Sequence, residues 1–219
     1  MPTVPDTELI EFKKWTLRIR KTDHPSPRLL VMIHGFTGDE NSMWVFARDL
    51  PTHYWIIAPR APYITEPSGY SWRPPQLGIE KRPSLEQLRP AAAALIQLID
   101  AYQLSAGIEA SVFDVMGFSQ GAVMSSLLTF LYPQRIRKTG ILSGFVPSGL
   151  EELAAQRPLA DKPFFVTHGT KDETVPVDRA RVSIEILEQA GAHVTYCEDE
   201  VGHKVSLNCL HALRSFLTE

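Results

Sequence analysis

The sequence contains only two cysteines, Cys197 and Cys209, among its 219 residues. Two cysteines do not build the disulfide framework of a small secreted domain. They predict free thiols in a reducing compartment, with a Cys197–Cys209 disulfide as the less favoured alternative. The N-terminal residues show no basic segment followed by an apolar core, so we expect no signal peptide. A cytoplasmic location is the resulting prediction, and a secreted protein whose signal has been removed is the alternative.

Long apolar runs and an excess of charge of one sign are also missing. The longest apolar stretches, Leu29–Ile33 and Ala91–Ile99, fall well short of the roughly 20 residues that span a bilayer, so we expect no membrane insertion. The chain carries 22 basic and 25 acidic residues, a net charge of -3. Nucleic-acid-binding proteins usually show a basic excess or a basic stripe, so we expect no nucleic-acid partner.

Sequence motifs for metals and nucleotides are absent as well. The chain contains no H-E-x-x-H, no Walker loop and no G-x-G-x-x-G. Histidines and cysteines crowd towards the C-terminus, but they lack the regular C-x₂₋₄-C and H-x₃₋₅-H pairs of zinc sites. This group consists of His193, Cys197, His203, Cys209 and His211. We expect neither a metal ion nor a cofactor.

The sequence does contain an alternation of short apolar runs with longer amphipathic ones. This pattern is typical of a parallel sheet covered by helices. The segment Glu8–Ile19 alternates between apolar and polar residues and predicts edge strands. The central strands are predicted at Leu29–Ile33, Tyr54–Ala58, Val112–Met116, Gly140–Leu142, Phe164–Thr167 and Val194–Cys197.

Four helices are predicted from their apolar stripes and end signals. The first carries apolar residues at helical spacing from Leu88 to Tyr102. Ser84 and Gln87 could form a capping box ahead of it, although Pro90 would then lie inside the helix. The other three are defined as follows: one from Ser119 to Pro133, one from an N-cap at Asp178 to Gly191, and one with Leu210, Leu213 and Leu217 on one face.

Proline is concentrated in the segment Pro59–Pro90, which holds seven of the 17 prolines. Because proline removes a backbone donor and restricts φ, we expect most of this segment to be a rigid excursion over the surface. Tyr63, Tyr70 and Trp72 favour a packed loop over a disordered one. No linker divides the chain, so we expect one domain over residues 1–219.

The strongest signal for chemistry is Gly117-Phe118-Ser119-Gln120-Gly121, between an apolar strand and a helical run. A serine on a sharp strand-to-helix turn exposes its hydroxyl and receives the helix N-terminus, and the flanking glycines let the two elements pack closely. We interpret Ser119 as a nucleophile, with an incidental serine as the alternative.

A serine hydroxyl needs a base, and we expect an acid and then a histidine later in the chain. Asp172 follows an apolar strand, and His203 follows the last one. Because the carboxyl ends of parallel strands meet at one sheet edge, we expect Ser119, Asp172 and His203 to lie together. The weaker candidates are Glu173, Asp199 and Glu200 for the acid, and His24, His53, His193, His211 and His168 for the base, with His168 better suited to orienting its loop.

Acyl transfer also requires donors for the oxyanion. We expect one from the backbone N–H of Gln120, directly after the nucleophile, and one from the early loop His34–Glu40. In that loop Phe36 would supply the N–H, and Gly35 and Gly38 would let the backbone turn towards the substrate. A plain strand-to-helix turn is the alternative interpretation of the loop.

With these residues, the sequence resembles the phospholipase/carboxylesterase family of α/β-hydrolases, small serine esterases that include acyl-protein thioesterases. The resemblance extends from about Arg28 to the C-terminus. Its motifs are Ile33-His34-Gly35 with Gly38-Asp39-Glu40, Pro59-Arg60-Ala61-Pro62, Tyr70-Ser71-Trp72, Gly117-Phe118-Ser119-Gln120-Gly121-Ala122, Tyr132-Pro133, Leu142-Ser143-Gly144, His168-Gly169 with Asp172 and Val175-Pro176, and Gly202-His203.

The resemblance implies an α/β-hydrolase fold, with a mostly parallel central sheet flanked by helices. It implies no large cap domain, because the segment Leu142–Lys162 is short. It implies that Ser119 is the nucleophile, Asp172 the acid and His203 the base. It also implies that Phe36 and Gln120 supply the oxyanion donors. It also implies an open cleft with Trp72 on one wall, and it leaves Phe36, Phe145 and Val175 either as acyl-pocket residues or as core.

The expected function is that of a serine carboxylesterase acting on short- to medium-chain carboxylic esters through an acyl-enzyme intermediate. An acyl-protein thioesterase, a lysophospholipase or a peptidase with the same triad are alternatives, and a non-catalytic ligand-binding protein on this fold is an alternative of another class. The expected partner is a small-molecule ester or thioester, and the protein is expected to be a monomer or a homodimer.

Overall fold

An eight-stranded sheet forms the centre of the computed structural model, which describes residues 6–74 and 85–219. The strands found in these residues are β1 Glu8–Phe12, β2 Trp15–Arg20, β3 Arg28–Ile33, β4 Tyr54–Pro59, β5 Tyr63–Ile64, β6 Tyr70–Ser71, β7 Phe113–Phe118, β8 Ile136–Leu142, β9 Pro163–Gly169 and β10 His193–Asp199. The order in the large sheet is β1-β2-β4-β3-β7-β8-β9-β10, and β5 pairs with β6 separately.

The large sheet is antiparallel only at its first two pairings, β1 with β2 and β2 with β4. The remaining neighbours run parallel. Burial follows position in the sheet: the last five residues of β3 are all buried, as expected of a strand covered on both faces. The edge strand β10 is only partly buried. The six predicted central strands are all present, and the segment Glu8–Ile19 forms the β1–β2 hairpin.

Helices pack on both faces of this sheet. Their bounds are α1 Leu85–Ala106, α2 Gln120–Leu131, α3 Glu151–Ala155, α4 Val177–Gln189 and α5 Leu207–Thr218, with short 3₁₀ helices at Ser42–Phe46 and Pro133–Arg135. On one face, α1, α2 and α4 bury residues such as Leu95, Leu127 and Leu187. On the other face, α5 buries Leu213 beside Trp44 of the first 3₁₀ helix. This arrangement confirms the predicted fold class.

One predicted helix start differs from the structure, and another agrees with it. The helix after β9 begins at Val177, with Pro176 as N-cap, so Asp178 lies inside the first turn and not at the cap. An acidic side chain is favourable there as well, because it faces the positive end of the helix dipole. The helix α1 begins at Leu85 and contains Pro90, as a helix that follows a cap at Ser84 would. The C-terminal end of the proline-rich segment is therefore helical, and Ser84 of the expected capping box lies outside the described residues.

The connection between β8 and β9 is short. It contains α3, five residues long, as its one regular element, and the whole connection lies within the described residues. No cap domain is therefore inserted at this point of the fold. None of the helices in the described ranges has the length and the apolar character needed to cross a membrane.

Cys197 and Cys209 form a disulfide, so the prediction of two free thiols is wrong. Cys197 lies in the edge strand β10, and Cys209 lies in the first turn of α5. The chain reverses between these elements and brings the two Cα atoms to 5.6 Å, within the range that a disulfide can bridge. Residues twelve positions apart carry no local signal of such a reversal.

Candidate active site

Ser119 lies on the turn between β7 and α2, where the backbone adopts a conformation that L-residues rarely take. Its φ is 54° and its ψ is -115°. Backbone hydrogen bonds hold the turn, since Ser119 N donates to Leu142 O at 2.9 Å and Ala122 N donates to Ser119 O at 3.0 Å. Strained backbone conformations that the surrounding structure enforces are found mostly at functional sites.

The two glycines of the motif are required by close packing around this turn. A Cβ atom on Gly117 would lie 2.1 Å from Gly121 O, and one on Gly121 would lie 2.0 Å from Ile33 O. Protein interiors are packed too tightly to absorb such overlaps without backbone movement. The spacing G-x-S-x-G thus lets α2 approach β7 and β3 closely enough to present Ser119 at the sheet edge.

His203 and Asp172 meet at this edge, as the sequence predicts. His203 Nδ1 lies 2.6 Å from Asp172 Oδ2. The Asp172 side chain is fully buried, whereas that of His203 is 22% exposed. The other oxygen, Asp172 Oδ1, accepts hydrogen bonds from Thr174 N at 2.9 Å and Val175 N at 2.8 Å. These donors satisfy the buried carboxylate and fix its orientation towards the imidazole.

His168 contacts the same loop, which carries Asp172. Its Nε2 lies 2.7 Å from Val175 O and 3.3 Å from Asp172 Oδ2. Because Val175 O can only accept, the proton of His168 resides on Nε2. His168 is fully buried, so it orients the Asp172 loop and leaves the base position to His203.

The alternative acids and histidines have other surroundings. Glu200 pairs with Lys171 at the surface, 3.1 Å apart, and Asp199 accepts from the backbone N–H of Glu200. The exposed His193 lies 3.2 Å from Asp161. The rings of His24 and His53 lie 5.9 Å apart, on residues that precede β3 and β4 and thus at the opposite end of the sheet.

The loop after β3 brings a second backbone segment against Ser119. A Cβ on Gly35 would lie 3.4 Å from Ser119 Cβ, and the neighbouring Phe36 lines the same clefts as Ser119. His34 fixes this loop, since its Nδ1 donates to Gly35 O at 2.7 Å and its Nε2 accepts from Ala61 N at 3.0 Å. Burial lowers the pKa of His34, which keeps the neutral ring that both bonds require.

This geometry can be compared with known proteins. A family model described as Phospholipase/Carboxylesterase matches residues 16–219. The chain belongs to the phospholipase/carboxylesterase family. At the level of the family, the predicted class of enzyme, a serine hydrolase acting on carboxylic esters, is confirmed.

Two relatives of known name illustrate the range of this family. Acyl-protein thioesterase 1 of Schizosaccharomyces pombe is 29% identical over 171 residues, which cover 72% of this chain and 74% of that protein. Probable carboxylesterase SOBER1-like of Arabidopsis thaliana is 28% identical over 119 residues, 53% of this chain. That alignment spans only 45% of the Arabidopsis protein.

Solved structures share the fold over almost the whole chain. The carboxylesterase from Mesorhizobium loti superimposes with a TM-score of 0.82 at 21% identity, over 97% of this chain and 99% of that one. The Bacillus cereus carboxylesterase gives a TM-score of 0.82 at 20% identity, over 94% of each chain. At such identities the likeness concerns the fold alone.

In this member of the family, Ser119 opens onto two adjoining clefts. We call the first the Phe145 cleft; its volume is about 310 Å³, and its walls are Phe36, Arg73, Ser119, Gln120, Val123, Phe145, Thr174, Val175 and Arg179. We call the second the Phe46 cleft; its volume is about 440 Å³, and its walls include Gly35, Phe36, Thr37, Met43, Val45, Phe46, Phe118, Ser119 and His203. The structure thus places Phe145 and Val175 on one wall beside Ser119, where a role in substrate binding stays a prediction.

Trp72 does not line either cleft, contrary to the prediction. The residue is fully buried, and its ring stacks on that of Trp15. Its Nε1 donates to His34 O at 2.8 Å, and its backbone N donates to Gln120 Oε1 at 3.0 Å. Trp72 is therefore a scaffold residue that connects the β3 loop to the start of α2, and the next residue, Arg73, forms the wall instead.

Three side chains make contacts in the site that the sequence arguments did not predict. The Gln120 side chain, predicted to matter only through its N–H, also donates to Ser71 Oγ at 3.1 Å. Glu40 and Arg60 form a two-pronged ion pair at 2.7 and 2.9 Å. Burial favours a higher pKa for Glu40, but the hydrogen bond and charge of Arg60 together with a backbone hydrogen bond outweigh it, and the pKa lies below its ordinary value. Glu40 and Arg60 both occur in the motifs of the family resemblance, but the sequence does not show that they form an ion pair.

Proposed function

We propose that the protein is a serine carboxylesterase that hydrolyses short- to medium-chain carboxylic esters through an acyl-enzyme intermediate. The observation that carries the proposal is the 2.6 Å contact between His203 Nδ1 and the buried Asp172 carboxylate. His203 also shares a cleft with Ser119, the residue on the strained turn. A nucleophile, a base and an acid that orients the base are the three parts that acyl transfer requires.

In the proposed mechanism, Ser119 Oγ attacks the carbonyl carbon while His203 Nε2 accepts the hydroxyl proton. The bond from the carbonyl carbon to the alcohol oxygen then breaks, and His203 returns the proton to that leaving oxygen. Water next attacks the acyl carbon and gives a proton to His203, which passes it to Ser119 Oγ as the acyl bond breaks. Asp172 holds the Nδ1–H tautomer and stabilises the imidazolium that forms in both halves.

The oxyanion is stabilised by the backbone N–H groups of Phe36 and Gln120. Gln120 is the first residue of α2, so its N–H belongs to the unsatisfied donors at the positive end of a helix. Phe36 is held by the His34 and Gly35 contacts described above. Each such donor is typically worth about 10²–10³ in turnover.

The replacement Ser119→Ala tests the proposal. The variant should hydrolyse p-nitrophenyl butyrate roughly 10⁴–10⁶-fold more slowly than the wild type, with an unchanged melting temperature. Ser148→Ala is the matched control, because Ser148 is an exposed serine outside both clefts. A fluorophosphonate should label the wild type at Ser119 and leave the S119A variant unlabelled. Full activity of S119A would show that Ser119 is not the nucleophile. A wild type that neither hydrolyses the ester nor reacts with the probe would support a non-catalytic binding protein instead.

A thioesterase is the second candidate, favoured by relatives named Acyl-protein thioesterase 1. The same three residues can attack a thioester carbonyl, since only the leaving atom differs. Butyryl esters and butyryl thioesters with leaving groups of similar size distinguish the two functions. A higher kcat/KM for the thioester, after correction for its greater intrinsic reactivity, would assign the thioesterase function.

The cytoplasmic location remains a prediction, and the Cys197–Cys209 disulfide opposes it. Disulfides persist mainly in oxidising compartments. Cells lysed in the presence of a thiol-alkylating reagent decide the matter: two alkylated cysteines, found by mass spectrometry, would support a reducing compartment. An unmodified pair that reacts only after reduction would support an oxidising one.

A further inference from the structure

The Phe46 cleft beside Ser119 has an apolar wall, and the described residues that line it include no lysine, arginine or carboxylate. They come from the loop after β3, from the first 3₁₀ helix, from the nucleophile turn and from the loop that carries His203. Met43 is buried, whereas Phe46 and Phe118 are half-buried. The rings of Phe46 and Phe118 stack with their centres 5.9 Å apart. The cleft therefore offers an aromatic surface to a ligand.

Two further apolar residues of this cleft, Phe36 and Val45, are exposed to solvent. Their exposed fractions are 54% and 69%, and both line the cleft together with Phe46 and Phe118. Single exposed apolar side chains are ordinary on a protein surface, whereas a contiguous group of them is typical of a binding groove. A ligand that covers Phe36 and Val45 gains free energy in proportion to the apolar area that it removes from water. The exposed apolar surface thus favours an apolar ligand.

The position of His203 decides which half of the ester enters this cleft. The leaving oxygen must receive its proton from His203, so the leaving group lies on the side of that imidazole. His203 lines the Phe46 cleft and is not among the described residues of the Phe145 cleft. Its ring centre is 5.0 Å from that of Phe118, so the apolar wall begins directly beside the base. The alcohol part of the ester therefore occupies the Phe46 cleft, and the acyl part occupies the Phe145 cleft.

We propose that the preferred substrate is an ester of a bulky apolar alcohol, aromatic or branched, whose apolar part packs against Phe118, Phe46 and Val45. The alcohol leaves as a neutral molecule once it has received the proton from His203, so it needs no charged partner in the cleft. Aromatic groups gain from offset and edge-to-face contacts with other rings, in addition to the burial of their area. The inference rests on the proposed esterase function and adds to it the chemical class of the leaving group.

The test compares three butyrate esters that differ only in the alcohol: propyl, 3-phenylpropyl and 2-(2-methoxyethoxy)ethyl butyrate. The first two alcohols are of similar acidity, and the third is close to phenylpropanol in length but polar. Proton release in a pH-stat gives kcat/KM for each ester. The wild type should show a kcat/KM for the phenylpropyl ester at least about tenfold above that for either of the others, as expected when an aromatic group is buried. The preference should persist at high ionic strength, because salt screens interactions between charges and this contact involves none.

Variants of the apolar wall locate the effect. Val45→Ser should reduce the ratio of the kcat/KM values for the phenylpropyl and propyl esters by about threefold or more, whereas Val45→Leu should keep the ratio. Phe46→Ala should reduce it further, and because Phe46 also packs against the core, the exposed Val45 keeps the test valid if F46A does not fold. Val182→Ser is the matched control, because Val182 is an exposed valine of α4 outside both clefts. Both valine-to-serine variants should hydrolyse propyl butyrate at the wild-type rate.

Each outcome is decisive. Hydrolysis of propyl butyrate without any preference for the phenylpropyl ester would overturn the inference and leave the proposed function standing. An equal gain for the polar ester would overturn it as well, since the length of the alcohol and not its apolar character would then be responsible. An equal loss of preference in V182S would show that the effect does not arise in the Phe46 cleft. A protein that hydrolyses none of these esters and resists the fluorophosphonate would overturn both proposals.

Two further measurements address other occupants of the cleft. If V45S changes the ratio of the rates for methyl 4-phenylbutyrate and methyl butyrate but leaves the alcohol series unchanged, the acyl part occupies the cleft and the inference is overturned. Size-exclusion chromatography tests a second copy of the chain as the occupant. A wild-type dimer that V45S dissociates, with no change in the preference between alcohols, would overturn the inference too.

Discussion

Reduction of the Cys197–Cys209 disulfide should lower the melting temperature of the protein by roughly 6–11 °C. The bond joins residues separated by 12 positions in the sequence. In the chain-entropy description, a cross-link over such a loop removes about 9.5 cal/mol/K from the unfolded chain, or about 2.8 kcal/mol at 25 °C. In a domain of 150–250 residues, each kcal/mol changes the melting temperature by about 2–4 °C.

Catalysis at 25 °C should change little, although His203 lies inside the loop. β10 stays paired with β9 over seven residue pairs, and Lys171 N donates to Val201 O at 3.0 Å just before His203. The helix α5 keeps its N-cap, because Ser206 Oγ accepts from Cys209 N at 3.1 Å. The native contacts thus hold His203 in place, and the disulfide acts mainly on the unfolded chain.

Calorimetry with and without a phosphine reductant measures the shift, and p-nitrophenyl butyrate measures activity. The double variant Cys197→Ala/Cys209→Ala is the control: its melting temperature should match that of the reduced wild type and should not respond to the reductant. Equal melting temperatures of the oxidised and reduced wild type would refute the reasoning. A loss of activity at 25 °C on reduction would also refute it, by showing that the bond positions His203.

Three further predictions concern the candidate site. Gly121→Ala should cost at least about 10² in kcat/KM or prevent folding, because its Cβ would lie 2.0 Å from Ile33 O; a soluble variant with wild-type esterase rates would contradict the packing argument. Asp172→Asn should lower kcat by roughly 10⁴ while circular dichroism stays native, and a loss below tenfold would show that another group orients His203. His34→Gln concerns pH: burial lowers the pKa of His34 in the folded state, so its contribution to stability is present above the unfolded-state pKa of about 6.5 and is lost as the pH falls below it. Melting temperatures recorded from neutral to acidic pH should therefore fall less steeply in the variant, and an unchanged slope would argue against a buried neutral imidazole.

The parts of the fold that follow local patterns were predictable. β3 reads as a continuous apolar run because both of its faces are covered, and its buried residues match the predicted strand. Gly191 ends the helix α4 as predicted, because its φ of 92° suits glycine. The nucleophile turn was predictable for a similar reason, since Gly117 and Gly121 are demanded by contacts within a strand, a turn and a helix that adjoin in sequence.

Predictions that depended on which face a side chain presents were less secure. Trp72 occurs in an irregular segment, where no periodicity tells an inward from an outward direction, and it proved to be a buried scaffold residue. The presence of Arg73 and Arg179 on one wall of the Phe145 cleft was not foreseen, because the two residues are 106 positions apart and each resembles an ordinary surface arginine. The Glu40–Arg60 pair was hidden in the same way across 20 positions.

The sequence by itself determined the central strands, the four longer helices, the serine turn and the family, because these rest on the spacing of neighbouring residues. Chain order and the parallel-sheet rule were enough to nominate Asp172 and His203 as partners of Ser119. Only the tertiary structure decided that Cys197 and Cys209 are bonded, that Trp72 is buried and that two arginines share one wall beside Ser119. Those features are distances between segments remote in sequence, and they are set by how β10, α4, α5 and the loop before α1 pack together.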